Sequence, residues 1–176
     1  MHMGHIHLLN TYLQHPRVKE VLLLIGPGVR DCITQNDAIL ISNMILKGYE
    51  RIRIESVNDL APVSTAYNYI SNAQPGTYAM GCSTKGGDYK RVQKFASNYK
   101  EKKYPLPEGV EVIELSVEAD PVVYVGRNDD WNDKPISASI LRQDVRNRDF
   151  QNFYTNYRTD RLSFDNIDFI RSLYDF

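Results

Sequence analysis

VKEVLLLI (Val18–Ile25), NDAILISNMIL (Asn36–Leu46) and RIRIESV (Arg51–Val57) follow one another along the chain. The first is a short apolar run of buried-strand type, stopped by Gly26-Pro27-Gly28. The second has helical periodicity and ends near Gly48. The third alternates as a half-buried strand does. A strand, a helix and a second strand in this order predict a parallel pair joined by a helical crossover.

The same alternation runs outward in both directions. Upstream, Ile6, Leu8, Leu9, Tyr12 and Leu13 fall at helical spacing over Gly4–Gln14, and Pro16 ends that helix. Downstream, a helix is expected over Ser64–Ala73, a strand over Thr77–Gly81 and a helix with a basic face over Tyr89–Tyr99. Short strands are expected at Val110–Leu115 and Pro121–Val125, then helices at Ser137–Arg148, Phe150–Tyr157 and Phe164–Leu173. The expected fold is α/β with a mostly parallel sheet in a single domain spanning residues 1–176, of which 150–176 form a C-terminal helical extension. In such sheets ligands gather beyond the carboxyl ends of the strands. The loops expected there are Gly26–Arg30, Gly81–Asp88 and Gly126–Pro135.

Composition narrows the function. The chain has 176 residues, 42% hydrophobic and 24% charged, in the range of a globular domain. A formal net charge of -1 provides no general attraction for nucleic acid or an acidic membrane, so neither is expected as a partner. The 2 cysteines, Cys32 and Cys82, are far apart in sequence, which suits a reducing, cytoplasmic setting. No apolar run approaches the ~20 residues of a membrane span. There is no P-loop, no G-x-S-x-G elbow and no H-E-x-x-H, which disfavours P-loop NTPases, α/β-hydrolases and zinc peptidases.

Two motifs remain. His2-Met3-Gly4-His5 forms an H-x-G-H at a helix start, with His7 and His15 following. Gly4 allows close approach of a ligand, free N–H groups at the helix start suit phosphate, and imidazoles donate to phosphoryl oxygens. Binding of stray metal by His2, His5 and His7 is the competing reading. Ile136–Arg142 reads ISASILR: Ser137 and Ser139 stand at a helix start and Arg142 lies within one turn of Ser139. The group could hold an anion, or be a capped helix with a solvated arginine. Between the motifs, Gly87, Asp88 and Arg91 belong to a glycine-rich, basic stretch suited to phosphate or ribose, or to a solvated turn. Trp131, beside Gly126–Asp130, could stack on a base or pack internally.

The H-x-G-H and ISASILR segments resemble the HIGH-type and ISSTxxR-type signatures of the nucleotidyltransferase superfamily. The resemblance implies a Rossmann-like three-layer fold and transfer of a nucleoside monophosphate to a phosphorylated acceptor, with release of pyrophosphate and no covalent intermediate. By that likeness His2 and His5 are catalytic and hold the triphosphate. Gly4, Ser137, Ser139 and Arg142 bind nucleotide phosphates, with Gly87, Asp88 and Arg91 beside them, and Mg2+ accompanies the nucleotide. The arginine that ends ISASILR looks more like the adenylyl branch, which makes ATP and an acceptor such as nicotinamide mononucleotide the favoured substrates. A cytidylyltransferase acting on a phosphoalcohol and a non-catalytic nucleotide-binding module on the same fold are the alternatives. Ala138 and Ser139 depart mildly from the usual pattern. Family members also carry an apolar strand ahead of the H-x-G-H, so a segment upstream of Met1 is expected. A third reading makes the aromatic stripe Phe150, Phe153, Tyr154 and Tyr157 a partner-binding face. The oligomeric state stays open, a homo-oligomer included. The small size suits a compact or viral genome, which would put the protein in a host cytoplasm.

Overall fold

A computed structural model of the chain describes residues 1–29, 32–57, 62–82, 88–115, 122–126, 134–157 and 162–174. The elements run α1 (Met3–Gln14), β1 (Val21–Ile25), α2 (Gln35–Ile45), β2 (Ile52–Ser56), α3 (Pro62–Ser71), β3 (Gly76–Tyr78), α4 (Asp88–Lys100), β4 (Val110–Val112), α5 (Ala138–Arg146), α6 (Phe150–Asn156) and α7 (Phe164–Ser172).

The first crossover forms as its sequence predicts. Strands β1 and β2 are parallel, in register from Val21 opposite Ile52 to Ile25 opposite Ser56, with α2 between them in the chain. Helix α2 starts at a capping box: Asp37 N–H donates to Thr34 Oγ1 at 3.1 Å, and Thr34 N–H donates to Asp37 Oδ2 at 2.8 Å. Gly48, at φ +86°, then turns the chain toward β2 in the left-handed region that favours glycine. Gln35 Nε2 ties the two strand ends together, donating to the carbonyls of Ile25 and Val57 at 2.8 Å each. Arg51 gathers the other end. Its guanidinium donates to the carbonyls of Lys19 at 2.7 Å, Leu13 at 3.0 Å and Val18, which fastens the last turn of α1 to the start of the sheet.

A second parallel pair repeats the scheme. Strands β3 and β4 register from Gly76 opposite Val110 to Tyr78 opposite Val112, with α4 as the connection. The molecule is therefore α/β with parallel pairing. Among the described residues the strands form two two-stranded sheets, β1–β2 and β3–β4. Of the expected strand Pro121–Val125, Pro121 lies outside the described residues, and the rest shows a single antiparallel bridge, between Val123 and Pro135, among the described residues. Pro135 lacks an N–H, which limits the ladder. Tyr124 N–H to Lys134 O (2.9 Å) and Ile136 N–H to Val122 O (2.8 Å) hold the two arms on either side of the bridge.

Two apolar clusters fill the interior. The larger joins Ile6 and Leu9 of α1, Ile41 and Ile45 of α2, Leu141 and Val145 of α5, Phe153 of α6 and Ile167 and Ile170 of α7. Val21, Leu23, Ile52 and Ile54 pack onto it from one face of the β1–β2 pair. Arg53, of opposite parity on β2, donates to Tyr69 of α3 at 2.7 Å. The smaller cluster joins Ile70, Phe95, Tyr99 and Val110. Helices α6 and α7 thus belong to the same packed body as α1 and α2. The aromatic stripe of residues 150–157 points largely inward, since Phe153 and Tyr157 are both 0% exposed, so those two rings are withdrawn from any partner-binding face. No described helix is long and apolar enough to cross a membrane.

Phe153→Ala is expected to lower unfolding free energy by about 3–5 kcal/mol, because it empties a fully enclosed site. Phe164→Ala, at a ring 66% exposed, should cost under about 1 kcal/mol. Urea unfolding of the two variants checks this; equal losses would mean that the cluster is not the centre of the fold.

Candidate functional site

The first turn of α1 is built by its histidines. His2 is the N-cap, in extended conformation, and its carbonyl accepts from the N–H groups of His5 at 2.9 Å and Ile6 at 3.2 Å. In return His2 N–H donates to His5 Nδ1 at 3.3 Å. The two imidazoles lie one over the other, with ring centroids 3.8 Å apart. They divide the work by exposure: His2 is 7% exposed, whereas His5 faces solvent. A backbone donor on Nδ1 has a chemical consequence. It makes Nδ1 the acceptor, so a neutral His5 carries its proton on Nε2. His7 is exposed farther along α1, and His15 Nδ1 accepts from Arg17 N–H at 3.2 Å beyond its C-terminus.

The ISASILR segment forms the start of α5. Ser137 is its N-cap, accepting from Ile140 N–H at 3.4 Å. A capping hydroxyl accepts through a lone pair and keeps its own proton to donate. Ser139 and Arg142 meet across the first turn, with Arg142 Nη2 donating to Ser139 Oγ at 3.1 Å.

These two helix starts touch. A Cβ on Gly4 would lie 2.9 Å from Ile136 Cγ2 and 3.1 Å from His2 Cε1, closer than side chains tolerate. The glycine of the first motif is therefore packed against the first residue of the second. Ile136 itself is buried, at 4% exposure. Gly4, expected as a point of ligand approach, is in the structure a point of approach by Ile136. The positive ends of two helix dipoles lie on either side of that contact.

Asp88 and Arg91, of the third group of expected site residues, form an i,i+3 pair at 3.1 Å at the start of α4, both well exposed. Such surface pairs contribute little. Gly87, the other expected member, lies outside the described residues, as does Trp131. The segment that leads into this region is nevertheless tied to α1: Cys82 N–H donates to Tyr12 Oη at 2.9 Å, and Gly81 packs on the same ring. Burial pushes the Cys82 thiol up, and the nearby Asp88 carboxylate adds to the effect, which disfavours the nucleophilic thiolate.

The donors assembled at the two helix starts are imidazole N–H, hydroxyl, guanidinium and backbone N–H. All suit phosphate oxygens. No carboxylate stands among them, and two seryl hydroxyls alone are too few oxygen ligands for a magnesium cage. Among the described residues no three His, Cys, Asp or Glu side chains converge as a metal-binding group.

Sequence reasoning missed a second polar centre. Asp144 of α5 is 5% exposed, and its Oδ1 accepts from Tyr124 Oη at 2.5 Å. Asn152 of α6 donates to the same phenol oxygen at 3.2 Å and to Asp149 Oδ2 at 2.8 Å. Asn156, 1% exposed, pairs with the backbone of Val125, accepting from its N–H at 3.0 Å and donating to its carbonyl at 2.9 Å. The aspartate at position 144, among apolar positions of an amphipathic helix, was the available signal.

Comparison of the chain with protein-family models, with curated proteins and with solved structures finds no match.

Gly4→Ala should destabilise the protein by about 1–3 kcal/mol through overpacking against Ile136. An unstrained helical glycine replaced by alanine gains about 0.5–1 kcal/mol instead, so the sign is diagnostic. In an Ile136→Ala background the cost of Gly4→Ala should shrink by about 1 kcal/mol or more, as a double-mutant cycle in urea would register. An unchanged cost would show that Ile136 is not what holds position 4 to glycine.

Proposed function

We propose that this protein is a nucleotidyltransferase on a Rossmann-like three-layer fold, moving AMP from ATP to a phosphorylated acceptor such as nicotinamide mononucleotide. One observation carries the reading: the H-x-G-H helix start and the ISASILR helix start, near opposite ends of the chain, pack against each other through Gly4 and Ile136. A triphosphate needs donors from more than one direction, and this seam supplies them. The parallel β1–β2 and β3–β4 pairs are compatible with the α/β class to which that fold belongs.

In the proposed reaction an oxygen of the acceptor phosphate attacks the α-phosphorus of ATP. The bond from that phosphorus to the bridging oxygen of the β-phosphate breaks, and pyrophosphate leaves with the electron pair. His5 faces solvent at the seam, and its Nε2–H stabilises the charge that develops on the phosphoryl oxygens. His2, buried beneath it, orients the His5 ring through the Nδ1 hydrogen bond. Ser137, Ser139 and Arg142 hold the β- and γ-phosphates at the start of α5. The work is positioning and electrostatics, with no covalent intermediate to support.

Pyrophosphate release from ATP and nicotinamide mononucleotide with magnesium tests the proposal, with CTP and phosphoalcohols in parallel reactions. The expected result is release in the ATP reaction. His5→Asn, whose amide oxygen replaces Nδ1 as the acceptor for His2 N–H while removing the Nε2–H donor, should lower turnover by roughly 10²–10³-fold with the fold retained. Release with CTP alone would identify the cytidylyl branch. Nucleotide binding without any release would identify a non-catalytic module.

A further inference from the structure

We propose that Tyr124 and Asp144 form a proton-sensitive latch that holds the arm of residues 122–126 and 134–136 against α5 and α6. The latch stands on the buried polar cluster alone and is independent of the nucleotide reading. The arm has no apolar cluster of its own. It is a two-stranded ribbon with one bridge, Val123 to Pro135, and such ribbons are marginal without a surface to dock on. Ile136 is buried against Gly4, and the other end of the arm is held by polar attachments. Asn156 replaces a neighbouring strand by pairing with both backbone groups of Val125, and Tyr124 reaches inward to Asp144.

Asp144 is the titratable partner in this docking. Its Oδ1 accepts the Tyr124 proton, while its Oδ2 is buried and accepts no hydrogen bond among the described residues. The groups that face it are Tyr124 from the arm and Asp149 and Asn152 from the start of α6. No cation is among them. An ionised carboxylate so enclosed has no counter-charge facing it among the described residues, whereas a neutral carboxyl costs less to bury and its Oδ1 still accepts the Tyr124 hydrogen bond. Burial raises the Asp144 carboxyl to about 6, opposed by the Tyr124 hydrogen bond and assisted by the Asp149 charge.

The sign follows. A group whose value is raised in the docked state favours docking when protonated. Docking is therefore strongest below the ordinary carboxylate range and weakens as pH rises through about 6. The arm also carries Ile136, which packs on Gly4, and it runs directly into the Ser137 cap. The latch thereby sets how firmly the two helix starts are held together.

Amide hydrogen exchange of the full chain tests this, with rates corrected for intrinsic chemistry. Protection of Val125 and Ile136 should fall about tenfold between about pH 5 and about pH 7, while Val57, in the β1–β2 ladder, should stay constant. Asp144→Asn should remove the pH dependence and keep the arm protected. A carboxyl carbon titration of the wild-type protein should place the Asp144 midpoint near 6, and Tyr124→Phe should move it higher by removing the hydrogen bond that lowers it. A wild-type midpoint in the ordinary carboxylate range, flat protection of the arm, or an equal fall at Val57 would each overturn the latch.

Discussion

The close approach of Gly4 to Ile136 is the contact on which the rest of the site depends. Position 4 lies in the first turn of α1, and even one added carbon would meet Ile136 at 2.9 Å. Because no carbon is there, the first turn of α1 and the cap of α5 become neighbours. The alignment of the His2 and His5 rings then follows from local geometry, since an N-cap and the third residue of the helix face each other across the turn. The pairing of Ser139 with Arg142 follows in the same way from the helical repeat.

The contact is held from behind by two different kinds of interaction. On one side is apolar burial: Ile6 and Leu9 of α1 and Leu141 and Val145 of α5 share a cluster with α2, α6 and α7. That term is large and indifferent to pH. On the other side is the polar docking of the short arm that ends in Ile136, through Asn156, Asn152 and Asp144. Polar docking in a buried setting is directional and depends on full satisfaction of every group. Within it the Asp144 carboxyl is pushed toward its neutral form by burial. One helix, α5, thus presents an apolar stripe to the core, a polar cap to the proposed phosphate site and a buried acid to the arm.

The elements that were legible in the sequence are those with strong local signals. Helices α1 to α7 appear within about two residues of the positions their periodicity implies, because each carries enough turns to show its repeat and Ser137 marks the start of α5. Strands β1 and β2 were equally plain, since both are long enough to show their patterns. Strands β3 and β4 shrank to three residues each, and the strand expected at residues 121–125 shows one bridge among the described residues. Short strands carry few residues, so their extent is set by what they pair with rather than by their own pattern.

By itself the sequence determined the order of helices and strands, the parallel pairing within each crossover, and the chemical identity of two phosphate-compatible helix starts. These follow from periodicity, capping and composition, which act over a few residues. Only the tertiary structure decided that the two helix starts meet, that His2 is buried beneath an exposed His5, and that Asp144 is enclosed with no cation facing it among the described residues. Each of these depends on residues distant along the chain sharing one volume. Exclusion of water there changes what a histidine or a carboxylate can do, and that volume is created by packing, with no counterpart in any single stretch of sequence.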